Sequence, residues 1–187
     1  MLVPRADSET LIDAAVAHFA GTAGPKRVLD LGTGPGTLLL AALAEWPAAS
    51  GVGVDASETA LDYARGNAVR LGLADRAELR AGDWADGLDG RFDLILCNPP
   101  YIGTGEELGP EVREHEPAGA LFAGADGLDD YRCVVPELPR LLAPGGIAVL
   151  EIGWTQGAAV AALVRAAGLT AAIRQDLGGR DRAVIAS

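Results

Sequence analysis

Short apolar segments typical of β-strands alternate along this chain with segments of helical length and pattern. Strands separated by helices of about 10–15 residues form right-handed crossovers, which place the strands parallel in one sheet. We therefore predict an α/β fold in which helices cover both faces of a mostly parallel sheet. The predicted strands are residues 27–31, 51–54, 77–80, 92–97, 146–152, 169–175 and 182–186. Because no helix separates the last two, we expect the final strand to be antiparallel in a seven-stranded sheet.

Two helices and one irregular segment have recognisable sequence signals. The first helix is predicted to follow a cap at Asp7 or Ser8 and to bury an apolar stripe formed by Leu11, Ile12, Ala15, Val16 and Phe19. The helix before the fifth strand should be kinked or broken by Pro136 and Pro139, because proline cannot donate the helical hydrogen bond. Residues 103–127 have no clear period, and a connection of this length indicates a functional segment.

Composition narrows the class of protein. The chain has 187 residues, which suits a single domain over residues 1–187. Its formal net charge is −11, so it lacks the basic surface that supplies most nucleic-acid affinity, and we expect no direct nucleic-acid partner. The 2 cysteines and 2 histidines are too few for a disulfide framework or a zinc cage, so we expect no metal and a reducing, cytoplasmic setting. No apolar run approaches the ~20 residues of a membrane helix, so we expect no membrane partner.

A glycine loop follows the first predicted strand and opens a helix. Directly after Asp30 and Leu31, its residues are Gly32, Thr33, Gly34, Pro35 and Gly36. Ligands of open α/β sheets bind at the carboxyl ends of the strands, where glycines let the backbone approach them closely. The second strand ends at Asp55, about 20 residues further on, where a carboxylate can accept hydrogen bonds from ribose hydroxyls. Asp83 follows the third strand and can accept from an exocyclic amine, and Trp84 offers an apolar face for a purine.

Each of these features alone has a plainer explanation as a turn glycine, a helix cap or a solvated strand end. Three consecutive strands that each end in suitable residues indicate instead a nucleoside cofactor. We therefore predict that Asp30, the five residues of the glycine loop, Asp55, Asp83, Trp84 and Asn98 bind the cofactor. The loop reads G-x-G-x-G, whereas a dinucleotide fold has its third glycine where Thr37 stands here, so a nicotinamide oxidoreductase is disfavoured.

The Asn-Pro-Pro-Tyr turn, formed by Asn98, Pro99, Pro100 and Tyr101, follows the fourth predicted strand directly. Its two prolines stiffen the backbone and remove two N–H donors, so the turn presents carbonyl acceptors. The Asn98 side-chain oxygen and the Pro99 carbonyl can each accept one N–H of a planar –NH2 group, on which Tyr101 can stack. We predict that Asn98, Pro99 and Tyr101 are catalytic and that all four residues bind the substrate. A rigid loop with a capping asparagine is the plainer alternative.

Together these motifs resemble class I methyltransferases that use S-adenosylmethionine, in the branch that methylates adenine amines or glutamine amides. Further segments are similar to the family that methylates the glutamine of peptide chain release factors. They are V-P-R-A-D-S-E at residues 3–9, E-P-A-G-A-L at 116–121, D-G-L-D at 126–129, E-I-G at 151–153 with Gln156, and D-L at 176–177 with R-D-R at 180–182. The resemblance covers essentially the whole chain. It departs at Ala6 and Ser8, where the family usually has proline and threonine.

The resemblance implies a Rossmann-like class I methyltransferase fold, the cofactor S-adenosylmethionine and the product S-adenosylhomocysteine. It also implies that the methyl group goes to the side-chain amide nitrogen, N5, of a glutamine in the Gly-Gly-Gln motif of a release factor, the expected protein partner. Family members usually carry an additional helical N-terminal domain that helps to hold the release factor. This chain begins where that domain should end, so we expect it to lack the domain.

Other functions fit parts of the same pattern. Glutamine methylation of a ribosomal protein would use the same chemistry. Adenine N6-methylation of DNA or RNA would need the base flipped into the pocket, and the net charge of −11 and the lack of a basic, aromatic-interleaved stretch argue against it. A cofactor-binding protein without catalysis would not need the acceptors of the Asn-Pro-Pro-Tyr turn.

Overall fold

A computed structural model of the chain describes residues 9–104 and 123–187. Its centre is a seven-stranded sheet with the order β3-β2-β1-β4-β5-β7-β6. The strands are β1 Arg27–Leu31, β2 Ser50–Asp55, β3 Ala77–Ala81, β4 Phe92–Cys97, β5 Leu142–Glu151, β6 Ala171–Gln175 and β7 Asp181–Ala186. Strand β7 pairs antiparallel with both β5 and β6, and the other pairings are parallel. The predicted sheet, with its antiparallel final strand, is confirmed.

Helices cover both faces of the sheet. They are α1 Glu9–Phe19, α2 Thr37–Glu45, α3 Glu58–Arg70, α4 Asp129–Val134, α5 Leu138–Leu141 and α6 Gly157–Ala166. Successive side chains of a strand point to opposite faces, and β1 shows the consequence. Its Leu29 packs in a core cluster with Tyr131 of α4, whereas its Val28 packs in a second cluster with Leu11 of α1. The sheet therefore separates two apolar cores.

The helix predicted before the fifth strand is interrupted, as expected. It divides into α4, a 3₁₀ turn at Val135–Glu137 and α5. Pro136 and Pro139 each lie in the first turn of the segment that follows the break, where a missing N–H costs no helical hydrogen bond. The prolines therefore divide the predicted helix into short segments.

The predicted buried stripe of α1 is wrong at one residue. Leu11 and Ala15 are buried, but Val16 is 38% exposed, and Ala14 is buried in its place. Each helical residue turns by about 100°, so a stripe centred on positions 11, 14 and 15 leaves position 16 at its solvent edge. The cap predicted at Asp7 or Ser8 lies outside the described residues.

The strand order brings two loops together at one edge of the sheet. From β1 the chain builds outward to β2 and β3, and later elements extend the sheet from the other side of β1 through β4. Such a reversal of strand order creates a crevice at the carboxyl ends of the two central strands. Leu31 of β1 lies opposite Cys97 of β4, so the glycine loop and the Asn-Pro-Pro-Tyr turn leave neighbouring strands at the same level.

We predict that Leu29→Ala lowers the free energy of unfolding by about 2–5 kcal/mol, because it leaves a cavity beside a central strand. The side chain of Leu29 is 0% exposed. Urea denaturation followed by circular dichroism measures the change. Leu177→Ala is the matched control, because Leu177 is fully exposed and its loss should shift stability by less than about 0.5 kcal/mol. Equal effects of the two substitutions would contradict the assigned core.

Candidate active site

The glycine loop takes a backbone conformation that its three glycines make possible. Gly32, Gly34 and Gly36 have φ angles of +69°, +55° and +84°, in the left-handed region that side chains disfavour. A Cβ on Gly32 would lie 3.1 Å from the Trp84 ring, whereas one on Gly34 would meet nothing within 4 Å among residues 9–104 and 123–187. Within this part of the chain, the middle of the loop therefore leaves space that a ligand can occupy.

Asp30 lies beneath the glycine loop and accepts hydrogen bonds from the loop and from α2. Its Oδ2 accepts a hydrogen bond of 2.6 Å from the Thr33 hydroxyl and one of 3.1 Å from the backbone N–H of Leu39 in α2. The residue is 1% exposed, and among the described residues its Oδ1 has no hydrogen-bond partner. Burial raises the pKa of Asp30 to about 7; the two hydrogen bonds oppose this rise, and the charge of Asp55 adds to it.

Asp55, at the end of β2, accepts a hydrogen bond from the backbone of the same loop. Its Oδ2 accepts from the backbone N–H of Gly34 at 2.7 Å, and its Oδ1 accepts from that of Ser57 at 2.8 Å. A carboxylate has about four acceptor positions, so Asp55 retains capacity for ribose hydroxyls. Sequence reasoning predicted a ligand role for this residue and missed its role in closing the loop.

Trp84 lies alongside the loop and is held in an unusual conformation. Its φ is +46°, the one positive value for a residue other than glycine in the described part of the chain. Burial raises the pKa of Asp130 in α4, the charges of Asp129 and Asp83 add to the rise, and the Trp84 side chain opposes it. Asp83 is exposed and Trp84 half-buried, so both can meet a ligand that enters from solvent.

The Asn-Pro-Pro-Tyr turn begins directly after Cys97, the last residue of β4. Pro99 is buried, and the other three residues of the turn are half-buried. Tyr101 packs against the core cluster that contains Tyr131. Because Leu31 and Cys97 lie opposite each other in the sheet, this turn and the glycine loop leave the same edge of the sheet, as the sequence predicted.

Gln156 is a site residue to which sequence reasoning gave no physical role. It stands at the N-cap of α6, and its side-chain Nε2 donates to the backbone carbonyl of Tyr101 at 2.8 Å. Nothing in a sequence pattern pairs residues that are 55 positions apart. The only available signal was the resemblance noted for residues 151–153 with Gln156.

Parts of the predicted site lie outside the described residues. They are the opening motif at residues 3–8, the E-P-A-G-A-L segment at 116–121 and most of the irregular connection at 103–127. The described flanks of that connection pair with each other. The N–H of Ala123 donates to the Ile102 carbonyl at 3.0 Å, and the N–H of Thr104 donates to the Gly124 carbonyl at 2.9 Å.

Comparison with known proteins gives the class of this fold. A family model described as a methyltransferase domain matches residues 24–176. Among solved structures, a ribosomal protein L11 methylase from Lactobacillus delbrueckii subsp. bulgaricus superposes with a TM-score of 0.71 at 19% identity, over 97% of this chain and 79% of that one. The hMettl16 catalytic domain superposes with a TM-score of 0.73 at 18% identity, over 100% of this chain and 72% of that one. The fold is that of a class I methyltransferase.

Curated relatives give the family. Proteins named release factor glutamine methyltransferase are 49% identical in Caulobacter vibrioides and 51% in Cereibacter sphaeroides, each over 99% of this chain, which spans 65% and 66% of their lengths. One from Xylella fastidiosa is 46% identical over 98% of this chain and 67% of its own length. The chain belongs to the release factor glutamine methyltransferase family. It spans about two thirds of the length of these relatives.

None of the helices in residues 9–104 and 123–187 is long and apolar enough to cross a membrane.

We predict that Asp30→Asn removes a pH dependence of stability. The unfolded carboxyl titrates near 3.8 and the folded one near 7, so the folded state binds the extra proton between these values. The contribution of Asp30 to the stability of the wild type should therefore fall as the pH rises from about 4 to about 7. The amide of Asn can keep the acceptor for Thr33 and Leu39 and place its –NH2 where Oδ1 stands.

Urea unfolding of both proteins at pH 5, 6, 7 and 8 measures the effect. The stability of Asp30→Asn relative to wild type should increase from pH 5 to about pH 7 and then level off. A constant difference between the two proteins from pH 5 to 8 would contradict the raised pKa of Asp30.

Proposed function

We propose that the chain binds S-adenosylmethionine at the glycine loop and transfers its methyl group to the N5 amide nitrogen of a glutamine in a protein substrate, a peptide chain release factor. One observation carries the proposal. The glycine loop and a turn rich in carbonyl acceptors leave the adjacent strands β1 and β4 at the same edge of the sheet, with Leu31 opposite Cys97.

Three features of the glycine loop fit the proposed cofactor. No described residue fills the space above Gly34, the carboxylate of Asp55 has acceptor positions left for the ribose, and the buried Oδ1 of Asp30 has no partner among the described residues. Trp84 borders the loop with a half-buried ring, and Asp83 can accept from the exocyclic amine of the adenine. When bound, S-adenosylmethionine supplies an electrophilic methyl group on a sulfonium cation.

An amide is a weak nucleophile, because its nitrogen lone pair is delocalised into the carbonyl. The Asn-Pro-Pro-Tyr turn can compensate for this through its acceptors. The side-chain oxygen of Asn98 and the backbone carbonyl of Pro99 accept the two N–H groups of the glutamine. These contacts raise the electron density on nitrogen and point it at the methyl carbon. Such orientation can supply ~7–11 kcal/mol. The contacts also strengthen as positive charge develops on the nitrogen.

No strong base is needed to complete the transfer. As the N–C bond forms and the S–C bond breaks, the amide nitrogen becomes a very acidic N-alkyl cation and gives one proton to water. The product amide has a single N–H left, so only one of the two acceptors, Asn98 or Pro99, keeps its hydrogen bond. The role of Tyr101 is to stack on the planar amide and to limit its rotation.

The names of the relatives favour a release factor as the substrate, and because release factors act on ribosomes we expect the chain to work in the cytoplasm. Adenine in nucleic acid is the alternative for a turn of this type, but the net charge of −11 disfavours it. A ribosomal protein would present the same glutamine amide to the turn.

Methyl transfer from isotopically labelled S-adenosylmethionine distinguishes these substrates. The chain is incubated at physiological salt with a release factor, a ribosomal protein fraction and a duplex DNA together, and mass spectrometry maps the labelled atom. We expect the label on the glutamine of the release factor. Label on adenine at an equal or higher rate would overturn the proposal.

We predict that Asp55→Ala weakens the binding of S-adenosylhomocysteine by ~1–3 kcal/mol, because the ribose hydroxyls lose their acceptor. Isothermal titration calorimetry gives the affinity, and a melting curve confirms that the variant is folded. Asp89→Ala is the control, because Asp89 is an exposed aspartate outside the loop. Unchanged affinity in folded Asp55→Ala, or tight binding of NAD instead, would remove the assigned cofactor site.

We predict that Asn98→Ala reduces kcat by ~10²-fold or more, because the lost acceptor is worth most in the transition state. The affinity for S-adenosylmethionine should change much less. Asn98→Asp keeps an acceptor oxygen and should retain more activity than the alanine variant. Single-turnover rates measured beside melting curves separate lost chemistry from lost folding. A folded Asn98→Ala with a near-wild-type single-turnover rate would exclude Asn98 from the mechanism.

A further inference from the structure

The side chain of Gln156 joins three separate backbone segments around the Asn-Pro-Pro-Tyr turn. Its Nε2 donates to the carbonyl of Tyr101 at 2.8 Å and to that of Gly127 at 3.2 Å. Its Oε1 accepts the backbone N–H of Gly153 at 3.0 Å. One amide therefore links the turn after β4, the approach to α4 and the loop after β5.

The backbones of two glycines pack closely against this amide. A Cβ on Gly127, whose φ is +70°, would collide with the Tyr101 carbonyl and lie 2.7 Å from the Gln156 Nε2. A Cβ on Gly153 would lie 2.9 Å from the Gln156 Oε1. Both backbones therefore approach the amide at distances that no larger residue allows, and Gln156 fills the space that results.

The donor supplied by Gln156 restrains the end of the Asn-Pro-Pro-Tyr turn. Pro99 and Pro100 have no N–H groups, so this part of the chain cannot be held by a regular hydrogen-bond ladder of its own. The carbonyl of Tyr101 is two residues beyond that of Pro99, and fixing the one restrains the direction of the other. A displacement of about 1 Å at a reacting group can cost ~10²-fold in rate.

We infer that Gln156 is a positioning residue, which sets the acceptors of Asn98 and Pro99 in the direction that the substrate amide requires. This inference rests on the proposed function. Gln156 acts through the carbonyl of Tyr101 and contacts neither the cofactor nor the reacting atoms. Its loss should therefore lower kcat while the affinity for S-adenosylmethionine stays nearly constant.

Gln156→Glu tests this role through the pH dependence of the rate. An ionised carboxylate keeps the acceptor for Gly153 but faces the carbonyls of Tyr101 and Gly127 without a donor. When the carboxyl is protonated, it regains one donor. Partial burial beside two carbonyls, with Asp181 next to Gly157, raises the pKa of the introduced carboxyl, whereas the Gly153 N–H and the N-terminus of α6 lower it.

Single-turnover methylation of a release factor is measured for the variant and the wild type from pH 5.5 to 8.5. We expect a variant-to-wild-type rate ratio of ~0.1 or less at pH 8.5, rising as the pH falls. The binding of S-adenosylhomocysteine by calorimetry should remain within about 2-fold of wild type throughout. Gln175→Glu is the matched control, since Gln175 is exposed on β6, and its ratio should stay near 1 at every pH.

Gln156→Met keeps the length of the side chain without its amide, so its rate ratio should be low and independent of pH. Hydrogen exchange of the Gly153 amide should be faster in this variant than in wild type, because the amide loses its acceptor. A folded Gln156→Met with wild-type kcat, or a Gln156→Glu rate ratio near 1 at pH 8.5, would overturn the positioning role alone. If the wild-type chain methylates no glutamine, the proposed function and this inference both fail.

Discussion

The buried carboxylate of Asp30 is the interaction on which the site depends. It receives the Thr33 hydroxyl from the glycine loop and the Leu39 N–H from α2, so one group joins the end of β1, the loop and the helix that follows. Placing a carboxylate in the core is unfavourable for its charged form, and its pKa rises accordingly, to about 7. The loop can therefore keep three left-handed glycines in a fixed arrangement while no described residue fills the space above Gly34.

The proposed site has two parts, the glycine loop and the Asn-Pro-Pro-Tyr turn, and the sheet places them side by side. Strands β1 and β4 are neighbours only because the strand order reverses between them, and their register sets Leu31 beside Cys97. A donor of methyl groups held by the glycine loop and an amide held by the Asn-Pro-Pro-Tyr turn would then meet without a large movement of the backbone. Gln156, from the loop after β5, adds the third support of this edge.

Sequence patterns predicted well where local chemistry determines the structure. The bounds of β1 and β4 agree to the residue with the prediction, because both are apolar runs that glycine or proline follows closely. Sequence patterns failed where packing determines which residues are buried. The exposure of Val16, for example, depends on how α1 is rotated against the sheet. The hydrogen bonds of Asp55 to Gly34 and of Gln156 to Tyr101 join residues 21 and 55 positions apart, and no periodicity in one sequence encodes such contacts.

A crystal structure of the chain with S-adenosylhomocysteine and a peptide that contains the Gly-Gly-Gln motif would show both halves of the proposed site at once. We expect the ribose hydroxyls on the carboxylate of Asp55, and the glutamine amide nitrogen about 3 Å from both the Asn98 Oδ1 and the Pro99 carbonyl. We also expect the sulfur of the cofactor to face that nitrogen. A cofactor bound away from the glycine loop, or a glutamine amide that donates to groups other than these two acceptors, would contradict the proposed site.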